Sequence, residues 1–236
     1  MAINYVNSCQ LNFNDVISYD ILNDEERDLL EKNTVQIEYK KGETICKQGT
    51  FASHVIFIEK GLVKVYIEGN PKNLILTITP NNQFIGLQTF YNGNNTFLYT
   101  VSTYVDTTVK LIDIQAFKQV LNKNPKFSTR IIQILNEHSA QTYGRFFCLT
   151  RKQSHGRMAD IILCLSQRIF KSNSFELPLS RQDLGELTGL STESVIRIMK
   201  DFKDENLISV SCKTLEIIDS EKLQRISEVG WCFYYF

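Results

Sequence analysis

A chain of 236 residues can bury a substantial core and is long enough for two modest domains. With 43% hydrophobic and 22% charged residues it has the make-up of an ordinary globular protein, which excludes a disordered chain, a collagen and a coiled-coil rod. Lys and Arg together number 26, as do Asp and Glu, so the net charge is zero and any affinity for nucleic acid has to come from local placement.

The first residues, Met1–Gln10, alternate polar and apolar without the basic start and apolar core of a signal peptide. No later apolar run approaches the ~20 residues that span a bilayer. The expectation is a cytoplasmic protein with no membrane partner. Asn23 followed by Glu26 has the spacing of a capping box, opening a short helix with Leu29 and Leu30 on its buried side. From Val35 to Ile112 the period changes: Val35, Ile37 and Tyr39, then Val55 to Ile58, Val63, Val65 and Ile67, Leu74, Leu76 and Ile78, Tyr99 and Val101, and Val109 and Leu111. Turn signals separate these blocks, among them Lys41-Gly42, Lys60-Gly61, Gly69-Asn70-Pro71, Pro80-Asn81-Asn82 and Asn92-Gly93-Asn94-Asn95. Many short antiparallel strands are implied, a β-roll or barrel of about 80 residues.

Pro125 suits a helix N-terminus and begins a breaker-free stretch to Leu149 that holds one glycine, Gly144. Phe127, Ile131 and Ile134 share one face of that helix, and Ile132, Leu135 and Phe146 an adjacent one. A helix apolar on two faces needs two partners: the preceding β domain, and the same helix of a second copy across a two-fold axis. Phe127, Ile131, Ile134 and His138 are assigned to the second-copy face, the plain alternative being a fully buried core helix. A second helix follows with Met158, Ile161, Ile162, Leu165 and Ile169 on one side and Arg157, Asp160 and Arg168 on the charged side; the polar segment Lys171–Phe175 breaks its pattern.

Next, Ser180 is placed to cap a helix with Asp183 three residues on, and Leu184 and Leu187 face inward. Gly189 permits a tight turn, and Ser191 caps a second helix with Val195, Ile198, Met199 and Phe202 inward. Outward lie Thr192, Glu193, Ile196 and Arg197, the candidate base-reading residues, with Glu193 and Arg197 four apart on one face where they can brace each other. From those two alone, a solvated ion pair is the plainer reading. The runs Ile208–Val210 and Leu215–Ile218 around Cys212-Lys213 then supply a hairpin suited to the wing of a winged helix-turn-helix. Ser180, Arg181, Lys200 and Lys213 are the candidate phosphate contacts. Six cysteines (Cys9, Cys46, Cys148, Cys164, Cys212 and Cys232) lie far apart with no C-x-x-C pair, and read as reduced small hydrophobes.

These segments resemble the Crp/Fnr superfamily of bacterial regulators over nearly the whole chain. The carriers are Lys41-Gly42-Glu43-Thr44-Ile45-Cys46-Lys47-Gln48-Gly49, then Val55 through Val65, then Gln83-Phe84-Ile85-Gly86, and the stretch Leu179–Ile208 with Glu193 and Arg197 at the family's Glu-x-x-x-Arg positions. The resemblance implies an α+β chain: a jelly-roll-like antiparallel β-roll sensor over 1–123, a dimerisation helix over 124–150, and a winged helix-turn-helix over 151–236. It further implies a homodimer on palindromic double-stranded DNA, with RNA polymerase as a partner and an effector that biases dimer geometry.

The effector pocket suggested by the resemblance is Gly86, Leu87, Phe97 and Leu98. Cyclic-nucleotide binders of the family carry a Glu after the Phe-x-Gly segment and an Arg-Ser/Thr pair about ten residues later; this chain has Leu87, and no arginine from Asn95 to Tyr99. Cyclic AMP is therefore not expected. Nor is an iron–sulfur cluster, since Cys9 is the one cysteine before Cys46. The overall pattern is most similar to redox- or nitric-oxide-responsive members; His54 and His138 are the candidate haem ligands, set against the reading of both as structural histidines. Two rivals are a cupin-type metal enzyme, which lacks its histidine cluster in the roll, and a stand-alone ligand-binding roll, which leaves the second half unexplained.

Overall fold

The computed structural model describes residues 21–89 and 95–229. Cys9, Cys232, the segment Met1–Gln10 and the turn residues Asn92 to Asn94 lie outside them. The described residues fall into two compact units, 21–70 with 77–139 in one and 71–76 with 140–229 in the other. No helix among them is long and apolar enough to cross a membrane.

The first unit begins with α1 (Asp24–Lys32), closed by the expected capping box: the Asn23 side chain accepts from the Glu26 N–H at 2.9 Å while Glu26 Oε2 accepts from the Asn23 N–H at 3.0 Å. Eight strands follow: β1 (Thr34–Tyr39), β2 (Thr44–Cys46), β3 (His54–Lys60), β4 (Leu62–Ile67), β5 (Leu74–Pro80), β6 (Gln83–Ile85), β7 (Thr100–Thr103) and β8 (Thr107–Asp113). They form two four-stranded sheets in the orders β1-β8-β3-β6 and β2-β7-β4-β5, an antiparallel β-roll. Alternation along β4 buries Val63 and Val65, while β3 buries Val55 on one face and Ile56 and Ile58 on the other. Gly61, between β3 and β4, has φ +120°, and a Cβ there would stand 2.8 Å from Thr107 Cα, so only glycine closes this turn.

Asp113 ends β8 and caps α2 (Ile114–Lys123), accepting from the N–H groups of Gln115 and Ala116 at 2.8 and 2.9 Å. The helix α3 (Pro125–Arg151) runs for 27 residues. Phe127, Ile131 and Ile134 of α3 are 0–2% exposed and join Val55, Phe84, Leu87, Phe117 and Val120 in one apolar cluster, with Leu29 and Leu30 packed on it. The rings of Phe57, Phe84, Phe117 and Phe127 follow one another at centroid distances of 4.9, 5.9 and 5.1 Å. Burial of each such side chain contributes about 1.5–3 kcal/mol. This corrects the expected dimer face, because Phe127, Ile131 and Ile134 are consumed by the roll of their own chain. His138, half-buried, continues the same side of α3. Of the adjacent face, Ile132 and Phe146 are 57% and 69% exposed, with Tyr143 beside them at 73%, whereas Leu135 packs against the cluster of the roll.

The second unit holds α4 (Ser154–Cys164), which continues into one π-helical stretch over Leu165–Phe170, then β9 (Ser174–Glu176), α5 (Arg181–Thr188), α6 (Thr192–Asp204), β10 (Ile208–Ser211), β11 (Thr214–Ile217) and α7 (Ser220–Val229). Its core gathers Met158, Ile162, Leu184, Val195, Ile198, Phe202, Leu207 and Leu223, each at most 1% exposed. The charged side read for α4 is not solvated. Asp160 and Arg168 are 3% and 7% exposed, and Asp160 accepts from Lys152 Nζ at 2.8 Å and from Ser227 Oγ at 2.7 Å.

Candidate nucleic-acid interface

Ser180 and Asp183 form a reciprocal cap on α5: the Ser180 hydroxyl accepts from the Asp183 N–H at 3.0 Å, and the Asp183 carboxylate accepts from both the backbone and hydroxyl of Ser180 at 2.9 and 2.6 Å. Gly189 ends the helix in the left-handed region, φ +64°. A second glycine is as necessary. A Cβ on Gly185 would meet the Leu190 carbonyl oxygen at 2.8 Å, and Leu190 N–H donates to the Gly185 carbonyl at 3.0 Å, so the chain returns directly over α5. The sequence signal for that, a glycine inside a helical pattern, is visible once α5 is placed.

Ser191 then caps α6 through the Ser194 N–H. Val195, Ile198, Met199 and Phe202 of α6 are 0–3% exposed, while Glu193, Ile196, Arg197 and Lys200 form an exposed row and Thr192 is half-buried beside it. The Glu193 carboxyl is held below the usual carboxylate range by its own backbone N–H and then by the Ser191 hydroxyl, so it remains an acceptor. The expected brace from Arg197 is not among those causes. Of the phosphate candidates, Lys200 and Lys213 are exposed and Arg181 is half-buried, its guanidinium pKa lowered by desolvation. Ser180 is exposed, and its hydroxyl is part of the cap on α5.

The wing is the hairpin β10–β11, with Ser211 opposite Thr214 and a two-residue loop in which Cys212 takes φ +53° and Lys213 is exposed. A third strand, β9, pairs with β11 through Phe175 opposite Leu215, and the Leu177 N–H donates to the Lys213 carbonyl at 2.8 Å. It lies where the polar segment Lys171–Phe175 had offered no pattern.

The four residues expected at the effector pocket differ in their surroundings. Leu87 belongs to the apolar cluster under α3, Leu98 is 49% exposed, and Phe97 is buried with a ring carbon 3.2 Å from where a Gly86 Cβ would stand. Tyr99, unnoticed in the sequence as a site residue, takes the Gly86 amide instead: its hydroxyl accepts from that N–H at 3.0 Å and donates to Gln88 Oε1 at 3.0 Å. Burial pushes the phenol pKa up, which keeps the proton on it. His54 Nδ1 lies 2.7 Å from the Ser53 hydroxyl, a partner that suits a structural histidine. No group of three or more His, Cys, Asp or Glu among the described residues is placed to hold a metal ion.

An antiparallel roll, a long helix and a three-stranded winged helix-turn-helix together have the architecture of a DNA-binding regulator. Two family profiles match in that order, the cyclic nucleotide-binding domain over residues 36–124 and the Crp-like helix-turn-helix domain over residues 156–226. The chain is 25% identical over 189 residues to the transcriptional activator protein FnrA of Stutzerimonas stutzeri, covering 77% of this chain and 75% of that one. It is 28% identical over 185 residues to the cAMP-activated global transcriptional regulator CRP of Salmonella typhimurium, covering 76% and 88%. Among solved structures, a crp/fnr-family regulator from Eubacterium rectale superposes with a TM-score of 0.76 at 16% identity over 91% of this chain and 99% of that one. A CooA variant from Carboxydothermus hydrogenoformans gives 0.73 at 19% identity over 93% and 99%. This chain belongs to the Crp/Fnr family and is a DNA-binding transcriptional regulator of that type.

Proposed function

We propose that the protein acts as a cytoplasmic homodimer on a palindromic site with TTGA-like half-sites, α6 of each copy entering a major groove, with RNA polymerase as the partner that reads the outcome. The observation that carries this reading is the exposed row Glu193, Ile196, Arg197 and Lys200 set on four buried side chains of the same helix. Residues 1–123 serve as sensor, 124–150 as dimer helix and 151–236 as reading half. Dimerisation uses the open face of α3. Thr129, Ile132, Asn136, Ser139, Tyr143, Phe146 and Thr150 are all exposed and succeed one another at alternating intervals of three and four, the spacing of a two-stranded seam.

The effector is not cyclic AMP, although one relative's name says it is activated by it. The position after Gly86 is a leucine sunk in the core, and Phe97 and Leu98 offer a phosphate no charge-assisted donor. A redox or nitric oxide signal is the class we assign, acting by moving the roll against α3 and so changing the separation of the two α6 helices. Selection of binding sites from random duplexes, followed by gel shift on the selected site and sedimentation of the complex, tests the reading. Two protomers on an inverted repeat is the expected result, and no selected sequence or a single bound protomer overturns it.

A further inference from the structure

Two side chains from the first turn of α4 reach different halves of the helix-turn-helix. Arg157 Nη1 donates to the carbonyl of Thr188, the last residue of α5, at 2.9 Å. The same nitrogen stands 3.4 Å from the Cβ position of Gly189, where Leu149 of α3 approaches to 3.7 Å. His155, two residues earlier, brings Nε2 to 3.0 Å from Asp201 Oδ2, and its ring centroid lies 5.9 Å from that of Phe202, both on α6.

We infer that His155 and Arg157 are positioning residues for DNA reading, a two-point clamp from α4 that sets the angle between α5 and α6.

Thr188 is fully buried and its hydroxyl is already bonded to the Leu184 carbonyl at 2.6 Å, so its own carbonyl gains its charge-assisted donor from Arg157. That carbonyl is at the C-terminal end of α5, where the helix dipole favours a cation. The guanidinium is held there at a cost, since Arg157 Nε is buried with no hydrogen-bond partner among the described residues. A surface arginine kept for solubility would not accept that desolvation. On the other side, His155 fixes α6 at Asp201, one residue from the fully buried Phe202, leaving the exposed row of Glu193 and Arg197 free of the clamp. Base reading tolerates displacements of only about 0.5 Å or 10–20°. Leu149 Cδ2 of the long helix lies 3.7 Å from where a Gly189 Cβ would stand, so the end of α3 runs beside the turn that Arg157 holds.

The inference rests on the reading of α6 as the DNA-contacting helix, and the test separates the two. With the full-length protein, affinities for the selected duplex and for a scrambled duplex are measured at one salt concentration for the wild type, Arg157→Met, Arg157→Lys, His155→Ala, Asp201→Ala, the double variant of the last two, and Arg197→Ala. Arg157→Met is expected to lose specific affinity roughly tenfold or more with non-specific affinity unchanged, and Arg157→Lys to recover part of it. His155→Ala and Asp201→Ala should each lose specificity, and their combination no more than either. Thermal melts identify any variant that fails to fold; if Arg157→Met is one, the Lys variant and the His155–Asp201 cycle decide. A folded Arg157→Met protein with the wild-type ratio of specific to non-specific affinity overturns the clamp, as does a parallel loss of both affinities. If Arg197→Ala also keeps the wild-type preference, the reading of α6 has failed, and the clamp falls with it.

Discussion

Ile131 and Ile132 are neighbours in the chain and face opposite environments: Ile131 is 2% exposed in the cluster between α3 and the roll, and Ile132 is 57% exposed on the open face. One residue rotates a helical side chain by about 100°, enough to assign the two isoleucines to different partners. Ile131 therefore belongs to the stability of a single chain, and Ile132 lies on the face proposed for association.

Charge placed at the two positions separates those roles. Ile132→Glu with Phe146→Glu brings like charges together in the seam, and sedimentation should show monomers whose circular dichroism and melting match the wild type. Ile131→Glu with Ile134→Glu buries two carboxylates in the intramolecular cluster, and costs the roll at least about 3 kcal/mol, visible as a lower urea midpoint. A stable, folded Ile131/Ile134 variant that is merely monomeric would reverse the assignment of the faces.

The buried charge of the DNA-binding unit makes a second test. Lys152 and Asp160 have side chains 14% and 4% exposed, and Ser227 donates to the same carboxylate oxygen. Asp160→Ala leaves the lysine charge buried and unmatched, at an expected cost of about 3–5 kcal/mol. Replacing the pair together with apolar residues of similar size should recover most of it. Chemical denaturation of the three proteins measures both steps; a single variant within about 0.5 kcal/mol of wild type would show that the pair carries no stability.

Which features were legible in the sequence follows from how local they are. Both capping boxes, the turn at Gly189 and the inward stripe of α6 are set by residues three or four apart, and the structure has them where spacing puts them. The face of α3 assigned to a second copy meets the roll instead, with Leu135 packed beside it, because periodicity gives the angle between stripes and says nothing about which neighbour each one meets. Asp160 reads as part of a charged side for a related reason: Ser227, which donates to it, is 67 residues away, and Lys152 reaches it from the turn between α3 and α4. β9 has three residues, too few for an alternation to register, and exists because β11 offers it an edge. Tyr99 reads as a strand residue, and only the fold brings its hydroxyl to the Gly86 amide.

Thiol reactivity provides a third test with a definite sign. Burial pushes the Cys46 and Cys148 thiols up to about 12, with the nearby Asp160 carboxylate adding to the effect at Cys148, whereas Cys212 is exposed at the tip of the wing. Alkylation needs the thiolate. At pH 8 Cys46 and Cys148 are protonated and shielded, and their reaction should await unfolding, while Cys212 is modified in the native protein. Peptide mass mapping after a short exposure checks the order, and early labelling of Cys46 or Cys148 would contradict it.

Cyclic AMP should leave the protein unliganded. A cyclic phosphate taken into the roll loses its water and meets Phe97 in the core and Leu98 turned outward, with no cation from Asn95 to Tyr99. The burial of an unpaired charge costs several kcal/mol. Titration calorimetry is expected to show no binding up to millimolar nucleotide, and a micromolar dissociation constant would refute the assignment.

The bases read by α6 are the sharpest consequence of its exposed row. With α6 in the major groove as proposed, the exposed Arg197 would donate two hydrogen bonds to guanine O6 and N7, and the exposed Glu193, its carboxyl held low, would accept from a cytosine amino group on the neighbouring pair. Ile196, 54% exposed between them, suits a thymine methyl. Thr192 has no guanidinium, so the further guanine of a TGTGA-like half-site has no reader, and a TTGA-like half-site is expected, repeated about one helical turn away. Arg197→Ala should cost about 1–3 kcal/mol per half-site and flatten the preference at its guanine. Lys213 is exposed in the wing loop and not on α6, so Lys213→Ala should weaken binding to all sequences alike and lower the slope of affinity against salt. Site selection with each variant measures the difference: an Arg197→Ala protein that retains the wild-type preference at every base would show that α6 is not the reading helix.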